Sequence, residues 1–103
     1  LKANDIATMS TGKRLGHPVR SIKNPYTKEY FKLEYSDISD EELEAYGRGS
    51  LYRAAVEGDE KTGCFLAGQI AGMVNKEQTA KEIIEEIFTQ AEDVLKGATK
   101  WVK

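Results

Sequence analysis

Residues 63–74 read Gly-Cys-Phe-Leu-Ala-Gly-Gln-Ile-Ala-Gly-Met-Val and include the only cysteine of the chain. A run this apolar predicts burial, with a loop as far as about Leu66 and a helix over residues 67–74. Glycine in a helix interior costs about 1 kcal/mol relative to alanine, so its repeated use here indicates that a backbone or a ligand approaches closely.

Small residues recur within the stretch, because Ala67-Gly68 is followed four residues later by Ala71-Gly72. On a helix this spacing would place a strip of small residues along one face. Tight helix packing and a wall approached by a flat ligand both stay open as explanations. Gln69 favours the ligand slightly, since its amide can donate and accept hydrogen bonds.

Bulk properties indicate one domain over residues 1–103 with no internal boundary, which could be a piece of a longer protein. The formal net charge of −2 speaks against a nucleic-acid partner, since phosphate binding needs a clustered cationic face. The apolar run over residues 64–74 is far shorter than the ~20 residues of a membrane helix. A single cysteine and the absence of a leader-like beginning favour the cytoplasm.

The sequence as far as about Tyr35 predicts one short extended piece and one helix. Alternation of apolar and polar residues after Pro18 places the extended piece near residues 18–23. Residues 8–12 are polar and predict a turn. Asn24, followed by a proline, predicts the start of a helix that continues to about Tyr35.

Three further helices are predicted. Ser39 and Glu42 have capping-box spacing and begin a short helix, and a second short helix covers residues 51–56. Thr79 and Glu82 repeat the box at the start of a long amphipathic helix docked on a core and ended by Gly97, with Trp101 closing over an edge of that core. Its apolar positions recur at threes and fours: Ala80, Ile83, Ile84, Ile87, Phe88, Ala91, Val94 and Leu95.

No complete catalytic or metal-binding set is evident. His17 is the only histidine, so a histidine-based metal cluster is excluded, and a structural hydrogen bond is favoured for it. Cys64 as a nucleophile needs a base or a helix N-terminus to lower its pKa. Its neighbours Phe65 and Leu66 instead favour a small buried hydrophobic side chain.

Two motifs together resemble a known family. Residues 15–24 read Leu-Gly-His-Pro-Val-Arg-Ser-Ile-Lys-Asn, and residues 65–74, followed by Asn-Lys-Glu-Gln-Thr-Ala and an amphipathic helix, form the second motif. In this order they closely resemble the carboxy-terminal part of the flavin-dependent enoyl-acyl-carrier-protein reductase II. The chain is similar, more distantly, to the nitronate monooxygenases, formerly called 2-nitropropane dioxygenases.

The resemblance implies an α/β TIM-barrel enzyme of which this chain is the mostly helical carboxy-terminal cap. It implies flavin mononucleotide (FMN) as cofactor, NADH or NADPH as hydride source, and an enoyl thioester on acyl carrier protein or coenzyme A as substrate in fatty-acid biosynthesis. The upstream barrel portion of the same protein would be the partner of this region. The oligomeric state stays open, with a homodimer as one option.

The resemblance also implies site residues in a cap that faces the flavin and the acyl channel. The family's active-site histidine belongs to the barrel, so no catalytic residue is assigned here and His17 is not one. Arg20 and Asn24 match motif positions and either hold the cap or touch ligand. The implied cofactor-binding residues are Leu66, Ala67, Gly68 and Gln69, and the implied substrate-binding residues are Cys64, Phe65 and Leu66.

Two alternatives to the reductase are retained. One is nitronate oxidation on the same kind of barrel. The other is a non-enzymatic, mainly helical interaction module in which the glycines form a packing seam.

Overall fold

The computed structural model describes residues 1–102, about half of which lie in helices, so the predicted helical character is confirmed in part. A two-stranded sheet precedes the helices, and two 3₁₀ turns flank the last long helix. In chain order the elements are β1 (Thr8–Thr11), β2 (Val19–Ile22), α1 (Pro25–Glu34), α2 (Asp40–Gly47), α3 (Ser50–Ala55), a 3₁₀ turn (Gln69–Met73), α4 (Ala80–Ala98) and a second 3₁₀ turn (Thr99–Trp101).

β1 and β2 form an antiparallel hairpin in which Thr8 pairs with Ile22 and Thr11 pairs with Val19. The extended piece predicted near residues 18–23 is therefore confirmed, whereas the turn predicted over residues 8–12 is wrong. The β-branched threonines at both ends of β1 suit a strand despite their polarity, and both are buried.

A glycine is required where the hairpin turns. Gly12 has φ +84°, and a Cβ there would lie 2.5 Å from the carbonyl oxygen of His17. The Gly12 carbonyl accepts a 3.0 Å hydrogen bond from the backbone amide of His17, which closes the turn. The structural hydrogen bond favoured for the His17 side chain is not seen among residues 1–102, because its imidazole is exposed and only its main chain is bonded.

The predicted helix starts are confirmed at their capping side chains. The Oδ1 atom of Asn24 accepts from the Thr27 amide at 2.9 Å, and Ser39 and Thr79 cap α2 and α4 in the same manner. Each cap is reciprocal, because the third helical residue bonds back to the cap amide. Local spacing alone therefore located these three helices.

A small core lies where α1 packs against α2. Tyr26, Tyr30, Leu43 and Cys64 are buried, and Leu43 is 0% exposed. The ring of Tyr26 stacks on that of Tyr46 with centroids 5.5 Å apart. The core thus contains the beginning of the glycine-bearing stretch.

Arg14, in the turn between β1 and β2, forms hydrogen bonds to the connection between α1 and α2. Its guanidinium donates to Asp40 at 2.8 Å and to the Ser36 carbonyl at 3.1 Å, and it also reaches the carbonyls of Glu34 and Ile38. Its backbone amide donates to the buried carboxylate of Glu34 at 2.8 Å. These bonds satisfy the last carbonyl of α1, where helical partners run out, and two carbonyls of the connection to α2.

α4 extends away from this core, and the described residues measure 58 × 34 × 19 Å along their principal axes. The predicted docking of α4 on a core is not seen within residues 1–102, because its side chains are not buried. Trp101 is 79% exposed, so the prediction that it closes over a core is wrong. In this part of the chain, none of the helices has both the length and the apolar character needed to cross a membrane.

Candidate functional site

We define residues 64–69 as the cap segment, the stretch to which the resemblance assigns ligand contacts. The Ile22 amide donates to the Phe65 carbonyl at 2.9 Å, and the Ala67 amide donates to the Arg20 carbonyl at 3.2 Å. Ser21 and Leu66 form an antiparallel bridge between these bonds. The cap segment therefore lies beside β2 as an extended chain, on the edge opposite β1.

The following helix is shorter and later than predicted. It is a 3₁₀ turn that begins at Gln69, so Ala67 and Gly68 precede it and do not share a helix face with Ala71 and Gly72. The predicted strip of small residues is therefore wrong. The cause is the pairing with β2, which holds the backbone extended through Ala67 and which local sequence does not reveal.

Burial follows the prediction only at the start of the stretch. Gly63 and Cys64 are buried and Phe65 is half-buried, whereas Leu66 is 55% exposed. Gln69 is exposed, as are the apolar residues Ile70, Met73 and Val74. Much of the cap segment and the turn after it thus presents an apolar surface that residues 1–102 do not cover.

The glycines of the stretch have different surroundings. A Cβ at Gly63 would lie 2.6 Å from the Asp59 carbonyl oxygen, and one at Gly72 would lie 2.6 Å from the carbonyl carbon of Asn4. Packing explains both. Gly68 has an ordinary φ of −77°, and a Cβ there would meet nothing within 4 Å. No contact among the described residues requires a glycine at position 68.

Cys64 is a buried thiol at the inner side of the cap segment. Its backbone amide donates to the Ser50 carbonyl at 2.9 Å. Burial raises the pKa of the thiol, and the nearby Ser21 hydroxyl, which has no hydrogen-bond partner, opposes this shift less strongly. A raised pKa disfavours the reactive thiolate, so the interpretation of Cys64 as a small buried side chain holds.

Clefts adjoin the cap segment at Cys64, Phe65 and Leu66. Cys64 lines a first cleft of about 190 Å³ and Phe65 lines a second of about 370 Å³, while Leu66 borders both. Phe65 also lines a third cleft, of about 400 Å³, together with Asn24. The predicted substrate residues are therefore adjacent but do not share a single cleft. The first cleft is also lined by Thr11, Gly12, His17, Val19, Tyr26, Tyr30, Gly47, Ser50 and Leu51.

Tyrosines were not among the predicted site residues, yet Tyr26 and Tyr30 form one wall of the first cleft. Burial raises the pKa of both phenols, and the nearby Ser50 hydroxyl opposes the shift at Tyr26. Both phenols are therefore neutral at physiological pH. Their spacing of four residues on one face of α1 was the available signal, but it indicated core packing equally well.

Arg20 and Asn24 both hold the structure together. The Nη1 atom of Arg20 donates to the Thr8 hydroxyl at 3.2 Å, across the hairpin. The Nδ2 atom of Asn24 donates to the carbonyls of Gly63 at 2.7 Å and Glu60 at 3.0 Å. Asn24 thus joins the start of α1 to the residue that precedes the cap segment.

The site offers apolar surface and hydrogen-bonding groups rather than a reacting set. Ala67, Gly68 and Gln69 line neither of the two clefts and lie at the open end of the cap segment. Among residues 1–102 there is no group of three or more side chains able to hold a metal ion. The arrangement is suited to shaping and covering a pocket.

Comparison with solved structures identifies what the chain is similar to. The structure of FabK from Thermotoga maritima matches it with a TM-score of 0.88 and 33% identity over 98% of this chain and 32% of that one. A mutant of the same FabK matches with a TM-score of 0.75 and 30% identity, over 98% and 29% of the two chains. No protein-family model and no curated protein matches the sequence.

The chain therefore spans about a third of the length of the FabK structures. FabK is an enoyl-acyl-carrier-protein reductase II and a TIM-barrel enzyme. The likeness covers nearly all of this chain, and its partial coverage of FabK is consistent with a carboxy-terminal portion. The predicted resemblance to the enoyl-acyl-carrier-protein reductase II family is thus confirmed.

Proposed function

We propose that this chain is the cap region of an FMN-dependent enoyl-acyl-carrier-protein reductase that uses NADH or NADPH. The observation that carries the proposal is the match to FabK over 98% of the chain. In this proposal the flavin supplies the hydride chemistry, and the residues described here shape and close the pocket. The enzyme would act in the cytoplasm on enoyl thioesters of acyl carrier protein or coenzyme A.

The open end of the cap segment fits a flat cofactor. Gly68 leaves space where a side chain would otherwise project, and the exposed amide of Gln69 can donate and accept hydrogen bonds. Hydrogen bonds to β2 fix the backbone up to Ala67. Gly68 and Gln69 therefore follow directly after a fixed segment of backbone. We therefore assign FMN contacts to residues 66–69.

The inner end of the cap segment fits the acyl part of the substrate. Cys64, Phe65 and Leu66 border the first and second clefts, and neither cleft is lined by an Asp, Glu, Lys or Arg side chain. Such walls bind an alkyl chain by excluding water rather than by specific polar contacts. Phe65 and Leu66 would also keep water from the reacting double bond.

The upstream barrel of the same protein is the proposed partner of α4. Ile83, Ile84, Ile87 and Phe88 are exposed along one face of α4, although their spacing is that of a buried face. The chain spans only about a third of FabK, so a larger body is available to cover that face. Residues 1–103 then form one cap region without an internal boundary.

Expression of the full-length protein tests the proposal. We expect a bound flavin with its characteristic absorbance, and oxidation of NADH or NADPH that depends on an added enoyl thioester. A protein that binds no flavin and turns over no enoyl thioester would contradict it. Supplying a nitronate and oxygen instead separates the nitronate monooxygenase alternative, which predicts oxygen consumption without a nicotinamide.

The isolated chain distinguishes the remaining alternative. An independent interaction module would unfold in one sharp transition as a monomer and would not bind a dye specific for exposed apolar surface. The reductase proposal expects strong dye binding instead, because the apolar face of α4 would lack its partner.

A further inference from the structure

We infer that Asn24 is a positioning residue for the cap segment: its side-chain amide fixes the backbone from which Cys64, Phe65 and Leu66 reach the two clefts. The kinetic part of this inference rests on the proposed function. The structural part does not, because it concerns only how the segment is held. In this inference Asn24 acts through main-chain atoms, and its side chain also borders the third cleft beside Phe65.

The side chain of Asn24 uses both ends of its amide for different segments. Its Oδ1 atom caps α1 by accepting from the Thr27 amide at 2.9 Å. Its Nδ2 atom donates to Gly63, 39 residues away, at 2.7 Å and to Glu60, 36 residues away, at 3.0 Å. One amide group therefore joins the start of α1 to the turn that leads into the cap segment.

Helix capping alone does not require an amide. Aspartate, serine and threonine cap as well, and Ser39 and Thr79 do so at α2 and α4. A carboxylate or a hydroxyl at position 24 would keep an acceptor for the Thr27 amide. Only an amide also supplies the two donors that the carbonyls of Glu60 and Gly63 accept.

The turn next to Asn24 leaves little room for adjustment. Gly63 is buried, and its amide donates to the Asp59 carbonyl at 2.9 Å while Asn24 holds its carbonyl. Cys64 is then fixed at once by its bond to Ser50. A shift at Gly63 therefore has to move Cys64 and, through it, the two residues that border the clefts.

The substitution Asn24→Asp separates the two uses of the side chain. It retains an acceptor for the α1 cap, but it places a carboxylate oxygen against two carbonyl oxygens in place of a donor. Ser39→Ala is the matched control, since it removes a helix cap at α2 and leaves Asn24 unchanged. Both variants are made in the full-length protein with its flavin.

Two measurements are compared between the variants. The first is the rate at which a maleimide modifies Cys64, followed on its peptide by mass spectrometry, which reports opening of the segment whatever the enzyme does. We expect about a tenfold faster rate in Asn24→Asp and less than a twofold change in Ser39→Ala. The second is steady-state kinetics with an enoyl thioester, where Asn24→Asp should raise KM about tenfold and change kcat much less.

Each result has a defined meaning. An unchanged rate of Cys64 modification in Asn24→Asp overturns the inference, as does an equal increase in Ser39→Ala. Faster modification with wild-type KM and kcat also overturns it, because the segment would then move without consequence for the site. If the unaltered protein has no reductase activity, the proposed function fails, and the modification rates still decide whether Asn24 holds the segment.

Discussion

The carbonyl oxygen of Arg20 accepts a hydrogen bond from the Ala67 amide at 3.2 Å, which attaches the cap segment to β2. Together with the bond from Ile22 to Phe65, it makes β2 the middle of three extended chains. The hairpin therefore serves as the support on which the proposed ligand-contacting residues are placed.

Gly68→Val is expected to weaken flavin or substrate binding in the full-length enzyme by about tenfold or more, equal to ~1.4 kcal/mol. A Cβ at position 68 meets nothing within 4 Å among residues 1–102, so in the proposed function the added side chain would occupy space that the ligand or the barrel needs. Flavin titration and KM measure the effect. Gly97→Ala is the control, because a Cβ at this position in α4 also meets nothing within 4 Å. Unchanged kinetics and flavin content in Gly68→Val would mean that position 68 contacts neither flavin nor substrate.

Gly72→Val is expected to act on stability instead. A Cβ there would lie 2.6 to 2.8 Å from backbone atoms of Asn4 and Asp5, and neither backbone can move aside without shifting the chain. Overpacking of this kind typically costs about 1–3 kcal/mol in the free energy of unfolding. Urea denaturation of the full-length enzyme measures it, and a wild-type midpoint would show that the contact with Asn4 is not maintained in solution.

Alkylation of Cys64 is expected to have a pH midpoint above the ordinary thiol value, because burial raises its pKa. The folded state thus retains this proton more tightly than the unfolded state. The protonated thiol therefore contributes fully to the free energy of unfolding below the ordinary thiol pKa. This contribution is lost as pH rises through the raised pKa of the folded state. Rates of Cys64 modification across pH, in buffer and in urea, test this; equal midpoints in the two would show that the thiol is not buried.

Arg14→Ala is expected to lower the free energy of unfolding by about 1–3 kcal/mol, because it removes donors from carbonyls at the end of α1 and in its connection to α2. Lys32→Ala is the matched control. The pair between Lys32 and Glu29 is exposed and 3.8 Å long, so its loss should change stability by less than about 1 kcal/mol. Equal effects in thermal or urea unfolding would contradict the role given to Arg14.

Phe88→Asp is expected to destabilise the full-length enzyme by at least about 3 kcal/mol if the barrel covers the apolar face of α4, since an unpaired charge would be buried. Glu85→Gln, next to Lys81 on the polar side of α4, is expected to stay within ~0.5 kcal/mol. Unfolding midpoints and soluble yield compare the two. Wild-type stability of Phe88→Asp would mean that this face remains in water.

The features that could be predicted from the sequence are those decided within a few residues. The caps at Asn24, Ser39 and Thr79 depend on one side chain and the next helical turn, so their spacing was sufficient. The start of the 3₁₀ turn at Gln69 was missed because β2, more than 40 residues earlier, holds the preceding backbone extended. The burial of Trp101 was predicted wrongly, because the sequence pattern does not determine where the C-terminal end of α4 lies relative to the core.

The candidate site was predicted only in part, because some of its features depend on residues far apart in the sequence. The resemblance located the cap segment, and the burial of Cys64 followed from its apolar neighbours. The walls formed by Tyr26 and Tyr30 were not found, since a core-facing tyrosine and a cleft-lining tyrosine have the same helical spacing. The role of the Asn24 amide was likewise hidden, because it concerns carbonyls 36 and 39 residues away.

The attachment of the cap segment through main-chain atoms has an evolutionary consequence. The bonds from β2 and from Asn24 engage carbonyls and amides that every residue type other than proline supplies. Substitutions at Phe65 and Leu66 can therefore reshape the adjoining clefts while the backbone keeps its course. Under the proposed function, related enzymes would be able to diverge in the acyl chain length they accept by changing these two side chains, with the supporting hairpin left as it is.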